Sequence, residues 1–236
     1  MLQSVPASLV LLFGATTVVT LLLFLNAVRN AGWTGWKIPT LLIGWLAFQA
    51  TLTLNGFYYI NPSEFPPRFP VLTLIPFLAI LLLFTTSKGR QFIDSLPLEK
   101  LTMLHIVRIP VELTLFGLFL HHAVPELMTF EGRNPDIFSG LTAPIVLWLF
   151  LWKGNIKRTG LLIWNLICLG LLINIVINAI FSAPFAFQKQ AFDQPNIAVL
   201  FFPFSWLPSF VVPVVLFCHL ASIRQLITGK SSGAVS

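Results

Sequence analysis

Long apolar runs separated by short polar turns set the pattern of this chain. Seven stand out: about Pro6–Val28, from just after Lys37 to Ile60, Pro70–Thr86, Leu101–Val124, Phe138–Trp152, Gly160–Phe181 and Ile197–Ile223. The runs are continuous rather than alternating. They predict helices that cross lipid, because a spanning helix needs roughly 20 apolar residues while a barrel strand alternates with period two. The fifth run, at roughly fifteen residues, needs local bilayer thinning or support from its neighbours. Pro203, Pro208 and Pro213 predict kinks in the seventh. The expected fold is all-α: a polytopic transmembrane helical bundle of seven spans in one domain, residues 1–228. A short cytoplasmic tail, 229–236, is expected to be disordered.

Composition agrees with a lipid-facing chain. Of 236 residues, 56% are hydrophobic and 9% charged, with a mean hydropathy of +0.87. Soluble domains carry about a quarter charged residues. Cys168 and Cys218 both fall inside apolar runs and read as small buried hydrophobes. The segment MLQSVPASLV has no basic region and no small-residue cleavage site, so it reads as the start of a retained first span.

Charge sets the direction of threading. The net charge of +6 would suggest nucleic acid in a soluble protein, but membrane proteins gather Lys and Arg on cytoplasmic loops, and no nucleic-acid partner is expected. Arg29, Lys37, Lys88, Arg90, Lys100, Lys153, Lys157, Arg158, Arg224 and Lys230 fall on one side of a seven-span arrangement; Arg68, Arg133 and Lys189 fall on the other. Ten against three puts the N-terminus outside and the C-terminus in the cytoplasm. If the fifth run failed to cross, the tally would fall to six against seven and the asymmetry would vanish, which favours seven crossings. Two short matches, Trp45…Asn55 with Trp164…Asn174 and GRQFI with IRQLI, hint at a three-one-three duplication.

Candidate chemistry concentrates on the fourth run. His105, Arg108 and Glu112 lie on one helical face, with Glu112 near the bilayer midplane. A charge there costs about 2.5–3.5 kcal/mol even on the lenient insertion scale, so the face must look into the bundle. Arg108 and Glu112, four residues apart, are expected to pair, and Pro110 between them frees the Ile106 carbonyl. Other helices supply uncharged candidates for a binding site or pathway: Gln49 (with Thr53), Asn174 and Asn178 (with Asn165), Trp206 and Ser209. In the outer loop EGRNPD, Glu131, Arg133, Asn134 and Asp136 form either a structured cap or an access lip. Adjacent His121 and His122 point about 100° apart on a helix and read as interfacial, so no metal is expected there. His105 and His219 fall at similar depth, which raises a haem reading, but there is no second pair to match it. No cofactor is expected.

Familiar seven-span families are excluded by what this sequence lacks. The seventh run has no lysine for a retinal Schiff base. It also lacks the HxxxH of the zinc hydrolases related to adiponectin receptors and alkaline ceramidases, whose further Asp is absent too. SWEET-type transporters match in span count, orientation and the hinted three-one-three duplication, but none of their sequence motifs is present. HxxRxPVE (His105 to Glu112), VPxLMTFEGRNxD (Val124 to Asp136), LTAP (Leu141 to Pro144) and FDQPN (Phe192 to Asn196) resemble an uncharacterised seven-span family of bacteria, chiefly Bacteroidota. That resemblance implies a bacterial cytoplasmic membrane and carries no activity with it. The expected function is transport of a small solute, with proton coupling through Glu112. The alternatives are a receptor or sensor working through a partner protein, since the Ser87–Lys100 connection is too short for a catalytic domain, and, third, a haem- or metal-dependent membrane enzyme. The expected partners are the lipid bilayer and a small molecule.

Overall fold

A computed structural model of the chain describes residues 5–60, 68, 70–151 and 158–229. Trp152, Lys153, Lys157, Lys230 and nearly all of the expected tail lie outside the described residues. Every predicted run appears as helix: α1 Ala7–Asn30, α2 Lys37–Leu54, α3 Pro70–Thr85, then α4 Ser87–Ser95, α5 Leu98–Leu104 and α6 Arg108–Leu120, followed by α7 Ile137–Leu151, α8 Arg158–Ser182 and α9 Val212–Thr228. Among the described residues there is no strand.

Among the described residues, five helices are long and apolar enough to cross a membrane on their own: α1, α2, the rod Leu98–Leu120, α8 and Leu207–Thr228. At 16 and 15 residues, α3 and α7 are short of a full crossing. The rod joins α5 to α6 through one 3-10 turn, His105–Val107. That tighter turn sits where Pro110 removes the N–H that would have bonded Ile106. The chain after α3 does not run on as a loop. It bends by 93° into α4, and the Thr86 hydroxyl caps the bend by accepting the Gly89 N–H at 3.2 Å. GRQFI therefore lies on a bent-off helix, whereas IRQLI ends the straight α9, so the two do not occupy equivalent places.

The core gathers around α9 and the rod. In the apolar window of Leu207–Thr228, 67% of residues are buried, and in that of the rod 50%, against 17% in α2. The last helix packs on α8, α5, α4 and α3, while α1 covers α5 and α6. The outward faces carry large aliphatic side chains, including Leu41 and Ile43 on α2, Leu78 and Leu82 on α3, and Ile163 and Ile167 on α8. Apolar surface on that scale suits lipid rather than water.

The seventh run is broken as its prolines require. A 3-10 turn, Ala198–Leu200, and a π turn, Leu207–Val211, precede α9. Pro213 has no N–H for the Ser209 carbonyl, and the Trp45 indole donates to that carbonyl at 2.9 Å. Trp206 returns the contact, its indole N–H donating to the Leu46 carbonyl at 3.0 Å. The Ser209 hydroxyl bonds within its own turn, to the Ser205 carbonyl at 2.8 Å. These two candidates for a pathway thus fasten α2 to the broken helix. Gln49 has a similar part. Its Oε1 accepts the Tyr58 hydroxyl at 2.7 Å and its Nε2 donates to the Val71 carbonyl at 3.3 Å, while Thr53 donates to Ser205 at 2.9 Å.

Candidate functional site

The pairing expected within the fourth run does not form. Arg108 reaches instead to Asp136, 28 residues on, with Nε donating to Oδ2 at 2.6 Å and Nη2 donating to Oδ1. The pair is bidentate and its side chains are 3% and 5% exposed. A planar guanidinium fork matches a carboxylate edge-on, a geometry that an i, i+4 glutamate on a straight helix does not present. What brings Asp136 in is the loop between α6 and α7. The 3-10 turn Glu126–Met128 and the close approach of Gly132 to the Glu126 carbonyl, where a Cβ would collide, fold EGRNPD back into the bundle. Asn134 and Asp136 are buried, Glu131 and Arg133 exposed. The loop is a cap with two inserted side chains.

Glu112 belongs to the second inserted residue. The Asn134 amide Nδ2 lies 2.7 Å from both Glu112 carboxylate oxygens and 3.0 Å from the Met128 carbonyl, donating toward all three. Its Oδ1 accepts the Asp136 backbone N–H at 3.2 Å. The two acid–partner sets are therefore linked through one residue of the loop.

Arg108 also joins the last helix. Nη1 lies 3.1 Å from His219 Nε2, and His219 Nδ1 lies 3.0 Å from Asn165 Oδ1. A guanidinium can only donate and an amide oxygen can only accept, so the network assigns His219 as neutral, with its proton on Nδ1. His105 stacks on it, ring centroids 3.8 Å apart and planes 19° from parallel. Both His105 ring nitrogens are buried without a partner. The faces of the two imidazoles are in contact, so they leave no gap between them for a haem plate. At the C-terminal end of the rod, His121 bonds back to the Gly117 carbonyl at 2.8 Å and His122 meets Gln194 Oε1 at 3.0 Å.

A cavity of about 140 Å³ adjoins this cluster. Thr73, Arg108, Glu112, Asp136 and Asn196 supply its polar lining, and the remaining wall is mostly aliphatic, with Leu172, Ile175, Val211 and Val215 among it. The candidates divide accordingly. Arg108, Glu112, Asn134 and Asp136 come together at the cavity, and His105 joins them through His219. Asn174 is exposed and donates to the Arg133 carbonyl at 2.8 Å; Asn178 accepts from Gln190 at 3.1 Å. Gln49, Asn174, Asn178, Trp206, Ser209, Glu131 and Arg133 are not among its lining residues. Three residues join the site in parts the sequence did not give them: His219, which the sequence paired with His105 only for a haem, Asn165, grouped there with Asn174 and Asn178, and Asn196. Of these, Asn196 ends the FDQPN motif, and its Oδ1 is buried without a partner.

A family model described as a domain of unknown function (DUF8737) matches residues 68–227, more than half of the chain. The chain belongs to that family. The matched range takes in the whole polar cluster, from His105 to His219, and leaves α1 and α2 outside it. No curated protein and no solved structure matches the chain.

The charge count of the cluster decides its chemistry. Arg108 and Asp136 cancel, His219 is neutral, and Glu112 faces Asn134, which carries no charge. Among the described residues, ionised Glu112 would leave one buried negative charge without a counter-charge. Burying such a charge is costly enough that the group takes up a proton or a cation instead.

Proposed function

We propose that this protein is a small-solute transporter of the bacterial cytoplasmic membrane, coupled to protons through Glu112. In this reading it crosses the bilayer seven times, with α3 and α7 as short spans and the N-terminus outside. The bias of basic residues supports that orientation. The observation that carries the reading is the cavity beside a buried carboxylate that has no compensating charge. Intramembrane ionisable groups next to a cavity mark solute and proton routes. A broken helix on the cavity wall, here Leu207–Val211 ahead of α9, is how transporters place irregular backbone at a binding site.

The test is flux in proteoliposomes carrying a trapped pH dye, challenged with a broad solute panel under an imposed pH gradient. Solute-dependent proton movement is expected for the natural sequence and its loss for Glu112→Gln, with the variant still monodisperse in detergent. If no solute of any class binds or moves protons, or if Glu112→Gln transports like the natural protein, the reading is wrong.

A further inference from the structure

The cavity has a chemistry that narrows the solute. Resting on the transport reading, we propose that it takes a monovalent organic cation with an apolar body, whose charge replaces the proton on Glu112, so that cation and proton exchange across the membrane.

Three observations converge. First, the polar groups on the cavity wall are short of positive charge. Arg108 is spent on Asp136 by a bidentate pair and on His219 Nε2, while Glu112 receives only the neutral amide of Asn134. Second, Asn196 adds another acceptor. Its Nδ2 donates to the Ala179 carbonyl at 3.3 Å, while its Oδ1 is buried without a partner, in a residue that lines the cavity. Besides the Thr73 hydroxyl, which can donate or accept, the polar lining is rich in acceptors and, among the described residues, holds no unengaged cation, which disfavours carboxylates and phosphates and favours an ammonium. Third, the rest of the wall is aliphatic, and about 140 Å³ is close to the size of an engineered apolar cavity that accepts benzene. A hydrated inorganic cation would gain nothing from such walls, whereas a benzyl- or alkyl-substituted ammonium would bury its apolar part against them.

The cavity walls also suggest a route. Thr73 and Phe77 of α3 and Val176 and Ile180 of α8 line the cavity and are themselves part-exposed. Both helices pack on α9 but make no more than marginal contact with one another. An apolar cation dissolved in the bilayer would reach Glu112 between them.

In the exchange step the Glu112 carboxyl releases its proton to water as the ammonium arrives, and no covalent bond forms or breaks. The titratable and charged groups around Glu112 are Arg108 and His105 on its own rod, Asp136 on the loop, Cys168 on α8 and His219 on α9. Arg108 and Asp136 hold each other's charge, His219 is kept neutral by Arg108 and Asn165, and His105 has no acceptor at either ring nitrogen to hold an imidazolium, so Glu112 is the group that changes.

The experiment is calorimetric titration of the purified full chain in detergent with benzyltrimethylammonium, tetramethylammonium, benzyl alcohol and phenylacetate. Each is run across a pH series and in buffers of different ionisation enthalpy. Benzyltrimethylammonium is expected to bind at least tenfold more tightly than the other three. It should release close to one proton in the acidic part of the series, where its affinity rises about tenfold per pH unit. Glu112→Gln should weaken binding at least tenfold and abolish proton release. Ala179→Phe, which fills the cavity and leaves the carboxylate in place, should also block binding and so controls for misfolding of the first variant. Equal or tighter binding of benzyl alcohol or phenylacetate, or cation binding with no proton release, overturns the cation assignment. The transport reading survives that outcome if the preferred solute still moves in a Glu112-dependent way. Absence of binding and flux for every class sinks both.

Discussion

The partner of Arg108 can be decided by a double-mutant cycle, because the two candidate pairs predict different couplings. In the structure the guanidinium gives two hydrogen bonds to Asp136 at side-chain exposures of 3% and 5%. Removing one member of a buried ion pair costs about 3–5 kcal/mol, because it strands the other charge, whereas replacing both by apolar residues is often close to neutral. Arg108→Met and Asp136→Leu should each be costly alone. Together they should lose far less than the sum, giving a coupling of about 3 kcal/mol. Some loss remains in the double variant, since Arg108 also serves His219 Nε2 and the Cys168 carbonyl. For Arg108→Met with Glu112→Gln, which share no hydrogen bond, the coupling should be well under half as large. The assay is reversible unfolding from dodecylmaltoside into dodecyl sulfate, followed by the fluorescence of the chain's seven tryptophans. A coupling across 108–112 equal to or greater than that across 108–136 would refute the inserted-loop geometry.

Two further substitutions test how the loop and helices are held. At Gly140 an added Cβ would stand 2.8 Å from Ile109 Cγ1 and 3.0 Å from its backbone nitrogen. Gly140→Ala should therefore destabilise by about 1–3 kcal/mol through overpacking; at Gly170, with open space around it, the same change should be neutral or slightly stabilising in that unfolding assay. Gln194 donates to the carbonyls of Phe119 and Val124 at 3.0 and 2.7 Å. Gln194→Ala should cost about 1–3 kcal/mol and speed hydrogen exchange at residues 121–124, and unchanged exchange there would show that the cap is idle.

Helices were legible in the sequence because apolar runs of this length have few other uses, and their ends fall close to Pro97, Pro70 and His121, where the pattern breaks. The number of crossings was less so: α3 and α7 are helices, but their length alone does not carry them across. The charged face of the fourth run was legible because charge in an apolar run is expensive wherever it sits. Its partner was not. The i, i+4 rule sees one helix at a time, and Asp136 arrives from a loop whose inward turn depends on the close backbone approach at Gly132. The clue available was a charge-rich loop running directly into a short apolar helix. Trp206, Ser209 and Gln49 left two parts open in the sequence, lining a cavity or bonding one helix to another, and the structure shows them in the second. A polar side chain that lines a cavity and one that repairs a broken backbone look alike in sequence, and here the prolines of the seventh run had left carbonyls to repair.

The network gives Glu112 its part by removing the alternatives. Had Arg108 paired with Glu112, the buried charge would have cancelled inside one helix and Asp136 would have been the group in excess, at the loop. Because Arg108 is drawn to Asp136, cancellation happens between rod and loop, and the uncompensated carboxylate lies one turn along the rod from that pair, on the cavity wall. His219 contributes as a neutral acceptor, its proton fixed on Nδ1 by Asn165, so the guanidinium cannot swing to Glu112 without leaving a buried imidazole nitrogen and Asp136 unpaired together. That double loss makes the pairing a choice between two discrete arrangements rather than a shared charge. Replacing Asn165 by Leu should loosen it: with Nδ1 no longer engaged, His219 can place its proton on Nε2 and repel Arg108. The 108–136 coupling measured by the cycle should then fall and the 108–112 coupling rise. An unchanged pair of couplings would mean that Asp136 alone holds Arg108 and that the α9 histidine has no part in setting the charge on Glu112.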